Sequence, residues 1–140
     1  MSIGLKLLSA LHTGLYRLTA GRVGGSMVGA KILLLTTVGS KTGKRRTAPV
    51  IYGTQGDRVV IIASKSGAPE HPAWYKNLQK NPEVEVEMGK EKRSYRARTA
   101  TAAERTELWT MMTGVYSGYD GYQKKTSREI PVVVLEPAKS

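Results

Sequence analysis

Apolar and polar positions along this chain fall into blocks whose spacing alternates between helical and strand-like. Leu7, Leu8, Leu11, Leu15 and Leu18 recur at three- and four-residue intervals while Lys6, His12 and Arg17 fall elsewhere on the wheel, so residues 3–19 are predicted to form an amphipathic helix. Gly21, Gly24, Gly25 and Gly29 then mark a flexible link. Residues 31–38, 48–54 and 58–64 are short and rich in Val, Ile, Leu and Thr, and their close spacing predicts an antiparallel meander with Gln55-Gly56-Asp57 as the second turn. Val59-Val60-Ile61-Ile62 is apolar without interruption, which predicts a strand buried on both faces.

Pro72 suits the first turn of a helix from Ala73 to Lys80, which Asn81-Pro82 stops. Val84, Val86 and Met88 then alternate with Glu83, Glu85 and Glu87, the pattern of a half-buried strand. Gly89-Lys90-Glu91 turns the chain into a partner at 92–99, where Arg93, Arg96 and Arg98 are expected opposite those glutamates. Thr101 and Glu104 have capping-box spacing ahead of a helix bearing Leu108, Trp109, Met111 and Met112, which gives way near Gly114 to a tyrosine-rich segment. A last strand runs from Ile130 to Leu135. This order predicts a mainly-β fold, a β roll or small antiparallel barrel with flanking helices at its edges. The chain divides into a helix and glycine-rich link over 1–29 and a barrel domain over 30–140.

Composition narrows the chemistry. The chain has 140 residues, no cysteine and two histidines, His12 and His71, so disulfides, thiol nucleophiles and thiolate metal sites are excluded and no metal site is expected. The net charge is +11, and residues 1–56 carry eight Lys or Arg before the first acid, Asp57. Such a field implies an anionic partner: a nucleic acid, an anionic membrane surface or a cofactor with a charged tail. No run reaches the roughly 18 consecutive apolar residues of a spanning helix, and residues 3–18 lack a clear signal-peptide cleavage site, so they read as mature sequence of a cytoplasmic protein.

Three clusters carry candidate chemistry. Gly39-Ser40-Lys41-Thr42-Gly43-Lys44-Arg45-Arg46-Thr47-Ala48-Pro49 follows the apolar run Ile32–Leu35, and a glycine turn with cations and hydroxyls makes an anion cradle. A solvated basic hairpin is the alternative reading. A P-loop is not, because Gly39 and Gly43 are separated by three residues and Arg45 follows Lys44. The second cluster joins Ile62-Ala63-Ser64-Lys65-Ser66-Gly67 to His71-Pro72-Ala73-Trp74-Tyr75-Lys76-Asn77. Its small residues admit a flat ligand to the backbone, and Trp74 can pack on a ring. His71 there is more often a surface residue than a general acid. The third cluster is Tyr116, Tyr119 and Tyr122, which would share one arc of a helix and either line a pocket or serve as core and rim residues. As a pocket wall they would clamp an aromatic substrate and donate a proton or hydrogen bond. The basic run contains no interleaved aromatics, which argues against nucleic-acid recognition.

In this order and spacing, Leu34-Leu35-Thr36-Thr37-Val38-Gly39, Lys41-Thr42-Gly43, Arg46-Thr47-Ala48-Pro49, Ala63-Ser64-Lys65, Pro72-Ala73-Trp74-Tyr75, Asn77-Leu78, Asn81-Pro82 and Ile130-Pro131-Val132-Val133-Val134 resemble the deazaflavin-dependent nitroreductases and quinone reductases of actinobacteria. The resemblance runs from about Leu33 to Pro137 and implies a split β-barrel of the FMN-binding kind. It implies a reductase that transfers hydride from reduced coenzyme F-420, an 8-hydroxy-5-deazaflavin, to a quinone, an enone-type lactone or a nitroaromatic. FMN is the alternative cofactor, and a heme- or lipid-binding barrel or a non-enzymatic nucleic-acid-binding domain are more distant alternatives. Carried onto this chain, Ser40, Lys41, Thr42 and Arg46 would surround the cofactor phosphate. Thr47, Ala48 and Pro49 with Ile62, Ala63, Ser64 and Lys65 would line the ring and ribityl chain, and Ala73, Trp74, Tyr75, Lys76 and Asn77 would close the other side. Tyr116, Tyr119 and Tyr122 would wall the substrate site, with Ser64 helping to fix the ring and Tyr119 also near the cofactor. Many relatives carry arginine at the place of Ser40, glycine at Ser66 and, in some members, tyrosine at Ile51. A lipid-soluble quinone would bring the helix at 3–19 to the inner face of the cell membrane, and the expected assembly is a monomer or weak homodimer.

Overall fold

The computed structural model describes residues 31–138. The helix and glycine link expected over 1–29 lie outside the described residues. The described residues form six strands: β1 (Ile32–Val38), β2 (Arg45–Gln55), β3 (Arg58–Ile62), β4 (Glu83–Met88), β5 (Glu91–Thr99) and β6 (Val132–Pro137). Among the described residues three helices accompany them, α1 (Ala73–Lys80), α2 (Ala102–Val115) and α3 (Tyr119–Lys125), with a 3-10 turn at Lys65–Gly67. The strands close into an antiparallel barrel in the order β1-β2-β3-β6-β5-β4. The expected meander is present, since β2 pairs antiparallel with both β1 and β3. Closure comes from β4 returning to β1, where Leu35 faces Val86.

Alternation along the strands produces two apolar layers. Leu33, Leu35, Val59, Ile61, Val86 and Val133 fill the barrel interior, with Tyr75 and Leu78 of α1 packed against them. On the opposite faces of β3 and β6, Val60, Ile62, Val132 and Val134 lie beneath Leu108 and Met112 of α2 and Tyr119 of α3. The unbroken apolar run in β3 is therefore explained by burial on both sides, as its pattern predicts. No described helix is long and apolar enough to cross a membrane.

The capping box forms as expected: Thr101 Oγ1 accepts from the Glu104 amide at 3.2 Å while Thr101 N donates to Glu104 Oε1 at 2.9 Å. Glu104 also binds both terminal nitrogens of Arg98, at 2.7 and 2.9 Å, and Arg58 at 3.0 Å, tying α2 to β5 and β3.

Several boundaries depart from the sequence pattern. β2 starts at Arg45 rather than residue 48, because Arg45 and Arg46 continue the ladder opposite Val38 and Thr37. β3 ends at Ile62, after which the Ala63 amide donates to the Pro131 carbonyl. The last strand begins at Val132 rather than Ile130. Between β4 and β5 the turn is Gly89-Lys90, with Met88 opposite Glu91, and this register decides the cross-strand charges. Arg96 meets Glu83 as expected, but Arg93 lies opposite Val86, and Arg98 lies beyond β4 and pairs with Glu104 and Glu136.

Candidate active site

The cationic turn is built from its backbone outward. The Gly39 amide donates to the Lys44 carbonyl at 2.7 Å and the Gly43 amide to the Gly39 carbonyl at 2.9 Å, closing the turn between β1 and β2. Gly43 has φ +71°, a left-handed backbone that suits glycine. From α1, the buried Asn77 accepts from the Ser40 amide at 3.0 Å and donates to Thr37 Oγ1 at 3.1 Å, while Lys80 Nζ donates to the Ser40 carbonyl at 2.8 Å. The turn is thus braced from below, and its cations face water. Of the four expected cations, Arg45 is engaged by Glu85. Lys41, Lys44 and Arg46 are exposed and make no ion pair among the described residues.

Three residues further along β2, about 10 Å at strand spacing, a cleft of about 350 Å³ opens between the barrel and α3. Pro49, Val50 and Ile51 of β2 and Ile62 of β3 line it together with Ser64, Lys65 and Ser66 of the following loop, Pro72, Trp74 of α1, and all three tyrosines. Its volume lies at the small end of ligand pockets, and its walls set apolar side chains beside hydroxyls and Lys65 in comparable measure. Lys65 and Ser66 have φ of +45° and +54°, and the amides of Ser64, Lys65 and Ser66 donate to no acceptor among the described residues. Free amides on a cleft wall can hydrogen-bond the carbonyl edge of a bound ring.

The phenols meet in a way that spacing alone does not predict. Tyr116 is not on a continuous helix with the others: it caps α2 in an extended conformation, φ −146°, and α3 restarts at Tyr119. The break lets Tyr116 fold back, so that its hydroxyl lies 2.9 Å from that of Tyr122 and its ring packs edge-on to Tyr119 at 5.2 Å between centroids. Tyr119 is buried, 3% exposed, and its hydroxyl has no hydrogen-bond partner among the described residues. Burial, reinforced by Tyr116 and Tyr122, pushes the Tyr119 hydroxyl above the usual phenol range and keeps it protonated at neutral pH. The Tyr116 hydroxyl is also raised, first by its bond to Tyr122 and then by burial.

Other expected site residues divide by position. Ser40, Lys41, Thr42 and Arg46 lie at the cationic turn, and Thr47 bonds Thr36 through their hydroxyls at 2.8 Å, next to Ala48 on β2. Ala63 is buried, and Ala73 and Lys76 are exposed on α1. The Tyr75 side chain lies in the barrel core, where its hydroxyl bonds Thr99 at 2.8 Å, because α1 turns that face inward. Asn77 braces the turn and does not line the cleft. Cleft residues not assigned as site residues from sequence are Val50 and Ile51, whose facing depends on β2 register, Ser66 and Pro72; Arg128, beside the cleft between α3 and β6, has no motif around it. His71 Nδ1 lies 2.9 Å from Arg128, and burial followed by the charges of Arg128 and Lys76 lowers its pKa below the ordinary histidine value.

A closed antiparallel barrel with a cleft of mixed polar and apolar lining beside a cationic turn is the architecture of the split-barrel cofactor-binding proteins. The chain belongs to the F420H(2)-dependent quinone reductase family, whose model matches residues 8–137. It is an enzyme of that family, with reduced coenzyme F-420 as electron donor. It is 41% identical over 137 residues to the F420H(2)-dependent quinone reductase Rv1261c of Mycobacterium tuberculosis H37Rv, covering 95% of this chain and 91% of the relative. A solved F420-H2 dependent reductase, FDR-A, superposes with TM-score 0.70 at 39% identity over 75% of this chain and 93% of that one. A solved domain-swapped dimer gives TM-score 0.72 at 35% identity, covering 91% of this chain and 96% of the other. A FAD-binding protein from Mesorhizobium loti, 10% identical with TM-score 0.55 over 88% of this chain and 87% of its own, shares the fold alone.

Proposed function

We propose that the cleft seats the deazaflavin ring of reduced coenzyme F-420 against Pro49, Ile62, Ser64 and Trp74, with a quinone between that ring and the tyrosines. What supports this arrangement is Tyr119, a buried residue on the cleft wall whose hydroxyl is protonated and unpartnered among the described residues. Lys41, Lys44 and Arg46 hold the cofactor's phosphate and draw in its acidic tail, and Thr42 and the Ser40 side chain complete the turn. The free amides of Ser64, Lys65 and Ser66 orient the ring edge. When bound, the coenzyme supplies the hydride. Tyr119 donates a hydrogen bond to the acceptor oxygen as it gains charge and can release its proton there, while the Tyr116–Tyr122 pair keeps the phenol wall in register.

The working unit is proposed to be a monomer or weak homodimer, the latter supported by the similar solved structure that is a domain-swapped dimer. Enone-type lactones and nitroaromatics are alternative acceptors of the same electron demand. A lipid-soluble acceptor would be met at a membrane face, with Lys6, Arg17 and Arg22 toward the headgroups; flotation with anionic vesicles should carry the full chain upward, and a chain left at the bottom removes this contact. The main test is fluorescence titration with oxidised coenzyme F-420, then turnover against quinones, lactones and nitroaromatics. Saturable binding with fastest turnover on quinones is expected. Binding of FMN with no binding of the deazaflavin would overturn the proposal.

A further inference from the structure

Arg128 makes the densest set of long-range hydrogen bonds near the cleft without lining it. Its Nε donates to the Ala68 carbonyl at 2.9 Å and Nη2 to the Ser64 carbonyl at 2.8 Å, with a longer bond to the Ala63 carbonyl at 3.4 Å. Nη1 reaches the Ala63 carbonyl at 3.3 Å and His71 Nδ1 at 2.9 Å. All five guanidinium N–H groups therefore have an acceptor, and because a guanidinium cannot accept, the His71 ring proton must sit on Nε2.

The segment held in this way is the left-handed one. L-residues avoid φ near +50°, yet Lys65 and Ser66 both adopt it, so the turn persists only where its surroundings enforce it. From the other side, Lys125 Nζ donates to the Ser66 carbonyl at 3.2 Å. Gly67, φ +79°, lies so close to α3 that a Cβ there would stand 2.7 Å from the Tyr122 carbonyl oxygen. The turn thus touches both the cofactor side of the cleft and the backbone of a substrate-side tyrosine.

We infer that Arg128 is a positioning residue of the redox site: it draws the carbonyls of Ala63, Ser64 and Ala68 to itself, holds Lys65–Gly67 left-handed between them, and thereby presents the free amides to the ring and seats Tyr122. Its effect on coenzyme affinity rests on the function proposed above; the rigidity of the turn does not.

Hydrogen exchange of the coenzyme-free protein separates the two. Arg128→Gln should speed exchange of the bonded amides of Ala63, Gly67 and Ala68 about tenfold or more, with Arg128→Lys intermediate because an ammonium spans fewer acceptors. If Arg128→Gln does not fold, Arg128→Lys alone is compared with the wild type. Adding Ser66→Gly, which relaxes the left-handed backbone, should slow that exchange again and recover part of a roughly tenfold loss in coenzyme affinity. Unchanged exchange in the Arg128 variants, or a lower unfolding midpoint that Ser66→Gly does nothing to offset in exchange or affinity, would overturn the inference. Faster exchange in a protein whose wild type binds no coenzyme would leave the clamp standing and sink the proposed function instead.

Discussion

At the scale of single residues, the reactive character of this site comes from which polar groups lack a protein partner. Tyr116 and Tyr122 satisfy each other at 2.9 Å, which leaves the Tyr119 hydroxyl as the phenol ready for a substrate oxygen. Tyr119→Phe keeps the ring that packs against Trp109 and Tyr116, so coenzyme affinity should stay within about twofold while kcat for quinone falls about 10- to 100-fold. Steady-state kinetics with a parallel binding titration checks this, and an unchanged kcat removes Tyr119 from the chemistry. His71 carries the second prediction. Its pKa is depressed by burial, Arg128 and Lys76, and it packs against the Tyr75 ring at 4.8 Å. The unfolded chain takes up the proton first, so the stability His71 contributes is full above its ordinary value of 6.5 and is lost as pH falls through the lower folded value. The unfolding midpoint should therefore drop, and exchange of the bonded Ala63, Gly67 and Ala68 amides should rise beyond the intrinsic pH dependence, between about pH 7 and about pH 5. A His71→Gln variant, which accepts without titrating, should lose that part of the slope. The tyrosines were legible as a set from their spacing. Arg128 was not, because its acceptors lie 57 to 65 positions away in the chain.

At the scale of elements, α1 links the two halves of the site. One face sends Tyr75 and Leu78 into the barrel, Trp74 lines the cleft, and Asn77 and Lys80 hold the cationic turn. Asn77→Leu preserves most of the volume but strips partners from the Ser40 amide and Thr37 hydroxyl. A loss of about 1–3 kcal/mol in denaturant unfolding is expected, together with weaker coenzyme binding from a looser turn. Full retention of both would show that Asn77 does not brace the site. The helix itself was readable from Pro72 and Asn81-Pro82, but its inward and outward faces became clear only against β1 and β5. The break between α2 and α3 shows the opposite case. Regular tyrosine spacing suggested one helix, yet Ser117-Gly118 favours a turn, and packing of Tyr116 on Tyr119 and Tyr122 rewards it.

At the scale of the whole molecule, charge and closure act together. Barrel closure leaves no strand edge open among the six, so the extended ladder of β1 and β2 can carry exposed cations at one end and the cleft further along. With a net charge of +11 and three uncompensated cations at the turn, coenzyme association should slow several-fold as salt rises from about 0.05 M to about 0.5 M, where screening lengths shrink below 10 Å. Stopped-flow fluorescence measures the rate. The Lys41→Ala/Lys44→Ala/Arg46→Ala variant should bind more slowly and show a flatter salt dependence; equal dependence in both proteins would place the attraction elsewhere.

Strand and helix types, the capping box, the doubly buried β3 and the basic run all follow from residues within a few positions of one another, and so they could be read directly along the chain. Strand register, the pairing of Arg98 with Glu104, the folding back of Tyr116 and the grip of Arg128 on the Ser64–Gly67 turn emerged only with the closed barrel. These contacts join residues far apart in sequence, and their geometry depends on how many residues each turn and ladder uses, a sum that no local pattern contains.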